Sequence, residues 1–275
     1  MRAPGRIVAG AMVQGTGHLA TGRGCQDAFK AAASPDGSAL VLAVADGAGS
    51  RARSALGAHL AVDLACRLLA GDPPSPDADE DGWRDWLDGR AGAVLDGYLG
   101  AVRALLATEA PEDGGGDDED ALAATLAAAV IRPPWVALLQ VGDCFGTVLT
   151  RPDGDRGELC RLALPPRRPA DFLSSPDARE RMVTAVLHEP RLSGVVLATD
   201  GCAPLALDHP SVEGLPVEHG PLASPRFFRP LAAALRANGG DAEPLRALLS
   251  GPRAARSGDD LTVLCAFSPD GGPWS

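Results

Sequence analysis

The chain has 275 residues, 45% of them hydrophobic, enough for one large domain with a substantial core and too apolar for disorder to be the default. Its formal net charge of −11 argues against nucleic acid and anionic membrane surfaces as partners, because both repel an acidic protein. Its six cysteines (Cys25, Cys66, Cys144, Cys160, Cys202 and Cys265) form no C-x-x-C pair, so zinc and dithiol motifs are unsupported and buried free thiols in a reducing compartment are expected.

No apolar run reaches the roughly 18 residues that a transmembrane helix needs. Residues 7–13 follow Arg2 and Arg6 but are broken by Gly10. They read as a first strand, not a signal peptide, and the chain reads as cytoplasmic. A glycine-spaced loop (Gly15, Gly17, Gly22, Gly24) leads to Gln26-Asp27, and a second strand starts at Ala28. Residues 40–45 form a buried strand that runs into Asp46-Gly47. Residues 54–70 predict a helix, with Leu56, Leu60, Leu64 and Leu68 along one face; Gly71-Asp72-Pro73-Pro74 stops it. A second long helix is predicted over 83–108, with Trp86, Val94, Leu95, Val102 and Leu105 as apolar positions, although Gly89, Gly92 and Gly97 weaken it. Residues 111–120 form a solvated acidic loop. Strands follow over 122–131, 136–141, 146–150, 159–164, 183–187 and 194–199, with a proline-rich irregular stretch at 165–171. Helices over 227–237 and 244–249 precede a last strand that ends at Phe267. One domain is expected over 1–268, with a tail at 269–275. Strands at both ends, with one helix pair inserted early and another late, describe an α+β layered fold and not a β-α-β alternation.

Three apolar runs end on an aspartate: 40–45 before Asp46, 136–141 before Gly142-Asp143, and 195–199 before Asp200. A fourth run reverses the order, with Asp259-Asp260 preceding 261–267. If that last strand is antiparallel to the others, all these carboxylates gather at one sheet edge. Like charges that close raise each other's pKa, and a cation among them relieves the repulsion. Asp-Gly alone is also the commonest hairpin dipeptide, so the signal lies in the coincidence. No histidine stands beside these aspartates in sequence, and an all-oxygen site suits magnesium, manganese or calcium.

The segments Gly24-Cys25-Gln26-Asp27, Val44-Ala45-Asp46-Gly47-Ala48-Gly49, Val141-Gly142-Asp143, Ala198-Thr199-Asp200-Gly201 and Gly258-Asp259-Asp260-Leu261-Thr262-Val263 resemble, in order and spacing, those of the PP2C-type metal-dependent protein phosphatases. Thr16-Gly17-His18 with Gln26-Asp27 is similar to the opening of a bacterial subgroup. Ala170-Asp171-Phe172-Leu173-Ser174-Ser175-Pro176 resembles its mid-chain signature. The resemblance implies a four-layer α-β-β-α sandwich of two antiparallel sheets flanked by helices. It implies that Asp46 bridges two Mg2+ or Mn2+ ions, with the Gly47 carbonyl completing one of them. Asp200 and Asp259 would hold one ion, Asp27 would contact the other, and Asp143 would serve a weaker third. The implied reaction is in-line attack on phosphoserine or phosphothreonine by a water activated between the ions, with Asp46, Asp200 and Asp259 as catalytic residues. The implied partner is a phosphorylated protein, a Ser/Thr kinase or its targets, and the chain is expected to be monomeric.

The chain departs from that pattern in three places. Gly22 stands where many relatives carry a phosphate-binding arginine, leaving Arg23, Arg51 or Arg53 as substitutes. Ala48 stands where some carry a general-acid histidine, leaving a metal-bound water or His18 to protonate the leaving group, with His18 also a candidate for the substrate phosphate; the plainer reading makes His18 a loop residue. Gln26 replaces a common glutamate. These losses keep two other readings open: a catalytically weak PP2C-like module that binds a phosphorylated partner or acts as a scaffold, and a metal-dependent hydrolase of small phosphate esters.

Overall fold

The computed structural model describes residues 6–109, 118–152, 157–167, 171–210, 220–272 and 274. The elements are β1 (Ile7–Val13), α1 (Thr16–Thr21), β2 (Asp27–Ala33), β3 (Leu40–Asp46), α2 (Ser54–Leu69), α3 (Glu80–Glu109), β4 (Leu126–Arg132), β5 (Trp135–Val141), β6 (Phe145–Thr150), β7 (Leu159–Leu164), α4 (Ala178–Arg181), β8 (Val183–His188), β9 (Leu192–Ala198), α5 (Ala203–Ala206), β10 (Leu207–Asp208), β11 (Leu222–Ala223), α6 (Pro225–Ala237), α7 (Glu243–Leu249) and β12 (Leu261–Phe267).

Two five-stranded sheets carry the fold, in the orders β1-β12-β9-β6-β7 and β2-β3-β4-β5-β8. Every pairing in them is antiparallel. The central strands read as continuous apolar runs because both faces are covered. In β3, Val41, Ala43 and Ala45 face α2 and α3, while Leu40, Leu42 and Val44 face the opposite sheet. In β12, Val263, Cys265 and Phe267 face α6 and α7, while Leu264 and Ala266 point between the sheets. Three hydrophobic layers therefore separate four structural layers, helix–sheet–sheet–helix. Among the described residues, no helix is long and apolar enough to cross a membrane.

Several local expectations are corrected by packing. In α2 the buried face includes Ala58, Ala61, Val62, Leu64, Ala65, Cys66 and Leu69; of the expected leucine stripe, Leu64 is core, Leu60 and Leu68 pack against it, and Leu56 is exposed. Small residues let the helix sit close to β2 and β3, with Leu64 and Leu68 against Gly97 of α3. The α3 helix runs unbroken through Gly89, Gly92 and Gly97. Its burial of Trp83, Leu87, Val94, Tyr98 and Val102 outweighs the propensity cost of the glycines. The glycine-spaced loop contains a short helix, α1. The strand expected from residue 122 begins at Leu126, after a 3-10 turn over Glu119–Leu122. The segment read as a tail is tied down: Trp274 is buried, and its N–H donates to the Leu192 carbonyl at 3.0 Å. Most of the acidic loop over 111–120, and residues 168–170 of the proline-rich stretch, lie outside the described residues.

Gly57 of α2 lies against the Leu122 carbonyl, which also accepts the Tyr98 hydroxyl. A Cβ at Gly57 would fall 1.9 Å from that oxygen, so Gly57→Ala should destabilise by about 2 kcal/mol or more. Gly89, on the exposed face of α3, meets nothing within 4 Å. There Gly→Ala should stabilise by about 0.5–1 kcal/mol through helix propensity alone. Thermal denaturation of the two variants should shift the midpoint in opposite directions.

Candidate metal centre

All the strand-end aspartates lie at one edge of the sandwich. Asp27 begins β2 and Asp46 ends β3, and the two are directly opposed in register. Asp143 follows β5 across Gly142, whose φ of +90° suits glycine and turns the chain sharply. Asp200 follows β9, and Asp259 precedes β12, which pairs antiparallel with β9 from Val263↔Ala198. The β12 start thus lies beside the β9 end. One carboxylate oxygen each from Asp46, Asp143 and Asp200 lies within 4.8 Å of the others. Asp259 is close enough for its charge to act on both Asp46 and Asp200.

Hydrogen bonds across the two sheets hold this edge in place. Thr199 Oγ1 donates to Asp27 Oδ2 at 2.9 Å and accepts the Thr262 N–H at 3.0 Å. Asp46 is fixed through its backbone, its N–H donating to Thr125 Oγ1 and its carbonyl accepting the Thr125 N–H at 2.8 Å. The Gly47 N–H donates to the Gln26 carbonyl at 3.1 Å. Glycine is required where the loops crowd together: a Cβ at Gly47 would meet Ser54 backbone at 2.6 Å, and one at Gly201 would meet the Asp260 carbonyl at 2.0 Å.

The chain assigns different tasks to the two neighbouring aspartates before β12. Asp259 lies near enough to Asp200 and Asp46 to repel them, and its Oδ1 accepts the Asp260 N–H at 2.9 Å. Asp260 is 1% exposed. It accepts the Gly15 N–H at 2.7 Å, the Gln26 N–H at 2.6 Å and His18 Nδ1 at 2.9 Å. His18 is therefore anchored on Asp260, the chain neighbour of Asp259, and not on the clustered carboxylates themselves. Arg23 Nη1 donates to the Gly49 carbonyl, and His18 Nε2 faces Gly49, 3.9 Å from where a Cβ would be. Sequence reasoning named the Asp259-Asp260 pair but missed the buried anchor role of Asp260, and missed Thr125 and Thr199. A polar residue inside an otherwise apolar strand end, as in Ala198-Thr199 and Leu261-Thr262, was the available signal.

The family model for protein phosphatase 2C matches residues 14–250. The chain belongs to the protein phosphatase 2C family. Among solved structures it is similar to the serine/threonine phosphatase PstP/Ppp of Mycobacterium tuberculosis, at 18% identity and a TM-score of 0.56, covering 96% of this chain and 99% of that one. It is also similar to the PstP catalytic domain in complex with two manganese ions, at 17% identity and a TM-score of 0.52, covering 95% and 98%. Stp1 from Staphylococcus aureus matches at 14% identity and a TM-score of 0.55, covering 97% of each chain. At these identities the structural likeness speaks for the fold. No curated protein matches the sequence.

The residues at the sheet edge of this PP2C-family chain fit hard divalent cations. The donors are all carboxylate oxygens. Among the described residues, Asp27 Oδ1 and Asp143 Oδ1 are buried without a hydrogen-bond partner, a costly state for an acceptor unless a cation or water meets it. Burial pushes Asp143 up to about 7, with Asp200 and Asp259 adding repulsion. Burial likewise raises Asp27 to about 7, against the pull of the Thr262 and Thr199 hydroxyls. Asp46 is driven higher still, to about 10, by burial and then by Asp27, Asp200 and Asp259. Asp200 is raised by burial and by Asp259. Cys25 and Cys202, which flank the site in sequence, are packing thiols whose pKa burial pushes upward, not nucleophiles.

These shifts set the pH dependence of the metal-free protein. A carboxyl with a raised folded pKa binds more protons folded than unfolded, so its effect on stability worsens as pH climbs from the unfolded value toward the folded one. For Asp27 and Asp143 that window runs from 3.8 to about 7, and for Asp46 it extends to about 10. The melting temperature of the metal-free protein should therefore fall between about pH 5 and pH 8, and millimolar Mn2+ should raise it more at the higher pH. Asp46→Asn should raise the metal-free melting temperature, flatten its pH slope and reduce the Mn2+ increment. A slope unchanged in Asp46→Asn would contradict the assignment of the repulsion to this cluster.

Proposed function

We propose that this chain hydrolyses phosphoserine and phosphothreonine in a phosphorylated protein, a Ser/Thr kinase or one of its targets, using Mg2+ or Mn2+ held at the sheet edge. The observation that carries the reading is the convergence of Asp46, Asp143 and Asp200 within 4.8 Å, with Asp27 opposite Asp46 and Asp259 adjoining. Asp46, with the Gly47 carbonyl, would be shared by the ions. Asp200 and Asp259 would help hold one, Asp27 the other, and Asp143 would serve a weaker third. Bound there, the ions would supply a water made nucleophilic near neutral pH and would neutralise charge on the phosphoryl oxygens. The manganese complex of PstP supports this reading by likeness of fold.

The chain's own residues fix the rest. Asp27 and Asp46 sit on paired strands, so their separation is set by the β ladder and not by loop motion. Thr199 holds Asp27 from the opposite sheet, keeping the two halves of the centre in register. Asp260 grips His18 Nδ1, which leaves Nε2 as the atom able to pass a proton to a departing serine or threonine oxygen.

Phosphate release from a phosphoserine peptide and from p-nitrophenyl phosphate should require Mn2+ or Mg2+, and Asp46→Ala should lower it by at least about 100-fold. A wild-type protein that binds the phosphopeptide but releases no phosphate with either metal would favour the binding-module reading instead. His18→Ala should lower kcat for the phosphoserine peptide by about 100-fold and remove one limb of its pH–rate profile, with a smaller effect on p-nitrophenyl phosphate, whose leaving group needs little protonation. A pH–rate profile identical to wild type would make His18 a loop residue only.

A further inference from the structure

Next to the carboxylate edge lies a separate depression of about 390 Å³, lined by Arg23, Gly24, Cys25, Gln26, Ser50 and Arg51. Its walls are the segment immediately before Asp27 and the turn immediately after Asp46-Gly47, so anything seated there lies alongside the proposed reaction centre. Two guanidinium groups face it in a protein whose net charge is −11. Arg23 is held in orientation by its bond to the Gly49 carbonyl. Arg51 is paired with Asp120 at 3.2 Å, both side chains being nearly half exposed. An exposed pair of that kind is weak and exchangeable, so an incoming carboxylate can replace Asp120.

The floor is fixed in place. Gln26 is 7% exposed. Its Nε2 donates to Ser54 Oγ at 2.7 Å and to the Arg51 carbonyl at 3.3 Å, which holds the Arg51 backbone at the rim. Its Oε1 is closed off from solvent on the side of Gly49, outside the lining of the depression. The depression thus offers two cations for an anionic group of the substrate. The phosphate itself belongs to the metal edge, so the group left for these cations is a carboxylate beside it.

We propose that this depression recognises an aspartate or glutamate beside the phosphorylated residue, its carboxylate between Arg23 and Arg51, so that the protein selects acidic phosphopeptides. The inference rests on the phosphatase reading above for its site and adds a substrate preference to it.

The test compares two phosphoserine peptides identical except for glutamate or alanine on either side of the phosphoserine. With wild-type protein and Mn2+, kcat/KM should favour the glutamate peptide by about fivefold, as two partly exposed charge-assisted contacts allow, and salt should shrink the ratio. The ratio should fall toward one in the Arg23→Gln/Arg51→Gln double variant. It should rise in Asp120→Asn, which removes the competing carboxylate. Equal kcat/KM for the two peptides in wild type, or a ratio undiminished in the double variant and unmoved in Asp120→Asn, overturns the proposal. If wild type hydrolyses neither peptide, the phosphatase reading fails on its own. The same peptides carrying a fluorophore then decide the preference by anisotropy, tighter binding of the glutamate peptide supporting it and equal binding overturning it.

Discussion

The structure is organised around an unfavourable interaction: acidic side chains from both sheets are brought together at one half-buried edge. Burial and mutual repulsion both work against their ionisation, and each raised pKa records that. Such a cluster persists only where the surrounding fold leaves its members no way apart. Here the constraint comes from the ladders, since Asp27 and Asp46 are register partners and the β12 start is pinned to the β9 end. The two apolar faces of each sheet anchor those ladders in the hydrophobic layers. The cost of the edge is thus borne by a core far larger than the edge itself, and a divalent cation bound there would offset it directly.

Asp260 converts this edge into a connected site. One buried carboxylate accepts two backbone N–H groups and an imidazole, from Gly15, Gln26 and His18. The segments Thr16-Gly17-His18, Gln26-Asp27 and Asp259-Asp260, far apart in the chain, are therefore one unit in space. Asp259 and Asp260 are adjacent at the mouth of a strand, so their side chains diverge. One joins the cluster, and the other turns inward to hold the loops that frame it.

Much of this was legible in the sequence because it followed from simple periodicity. Continuous apolar runs such as 40–45 and 261–267 could be buried strands only if both faces were covered, which is the sandwich. Aspartates at their ends had to share an edge once β12 ran antiparallel. What escaped notice depended on tertiary contact. The leucine stripe of α2 marked part of the buried face, with Leu64 in the core, but the small residues Ala58, Ala61 and Ala65 that complete that face carried no signal of their own in sequence. The glycines of α3 signalled a weak helix, and burial of Trp83 and Tyr98 overrode them. Asp260 looked like a second copy of Asp259 because sequence cannot show which neighbour faces inward, and the orphaned Gln26 oxygen is visible only when its amide partners are placed.

The departures from the family pattern at Gly22 and Ala48 acquire a common physical reading in this geometry. Both positions lack the side chain expected of them, and Ala48 lies in the turn 47–49 itself. Two other residues, from the segment containing α1, reach that turn from the opposite side: Arg23 through the Gly49 carbonyl and His18 through its Nε2. Neither can be held there by α1 alone, which is short and has no side-chain cap. They are held because Asp260 fixes His18 and the Gly17 N–H bonds the Gly258 carbonyl at 2.8 Å, tying α1 to the loop that carries Asp259. A cation and an imidazole are thus supplied to the turn by the same strand start that completes the carboxylate cluster. That coupling makes the positions of opposite charge around the edge interdependent: any movement of the 258–260 loop displaces an acid from the cluster and the basic groups from its rim together.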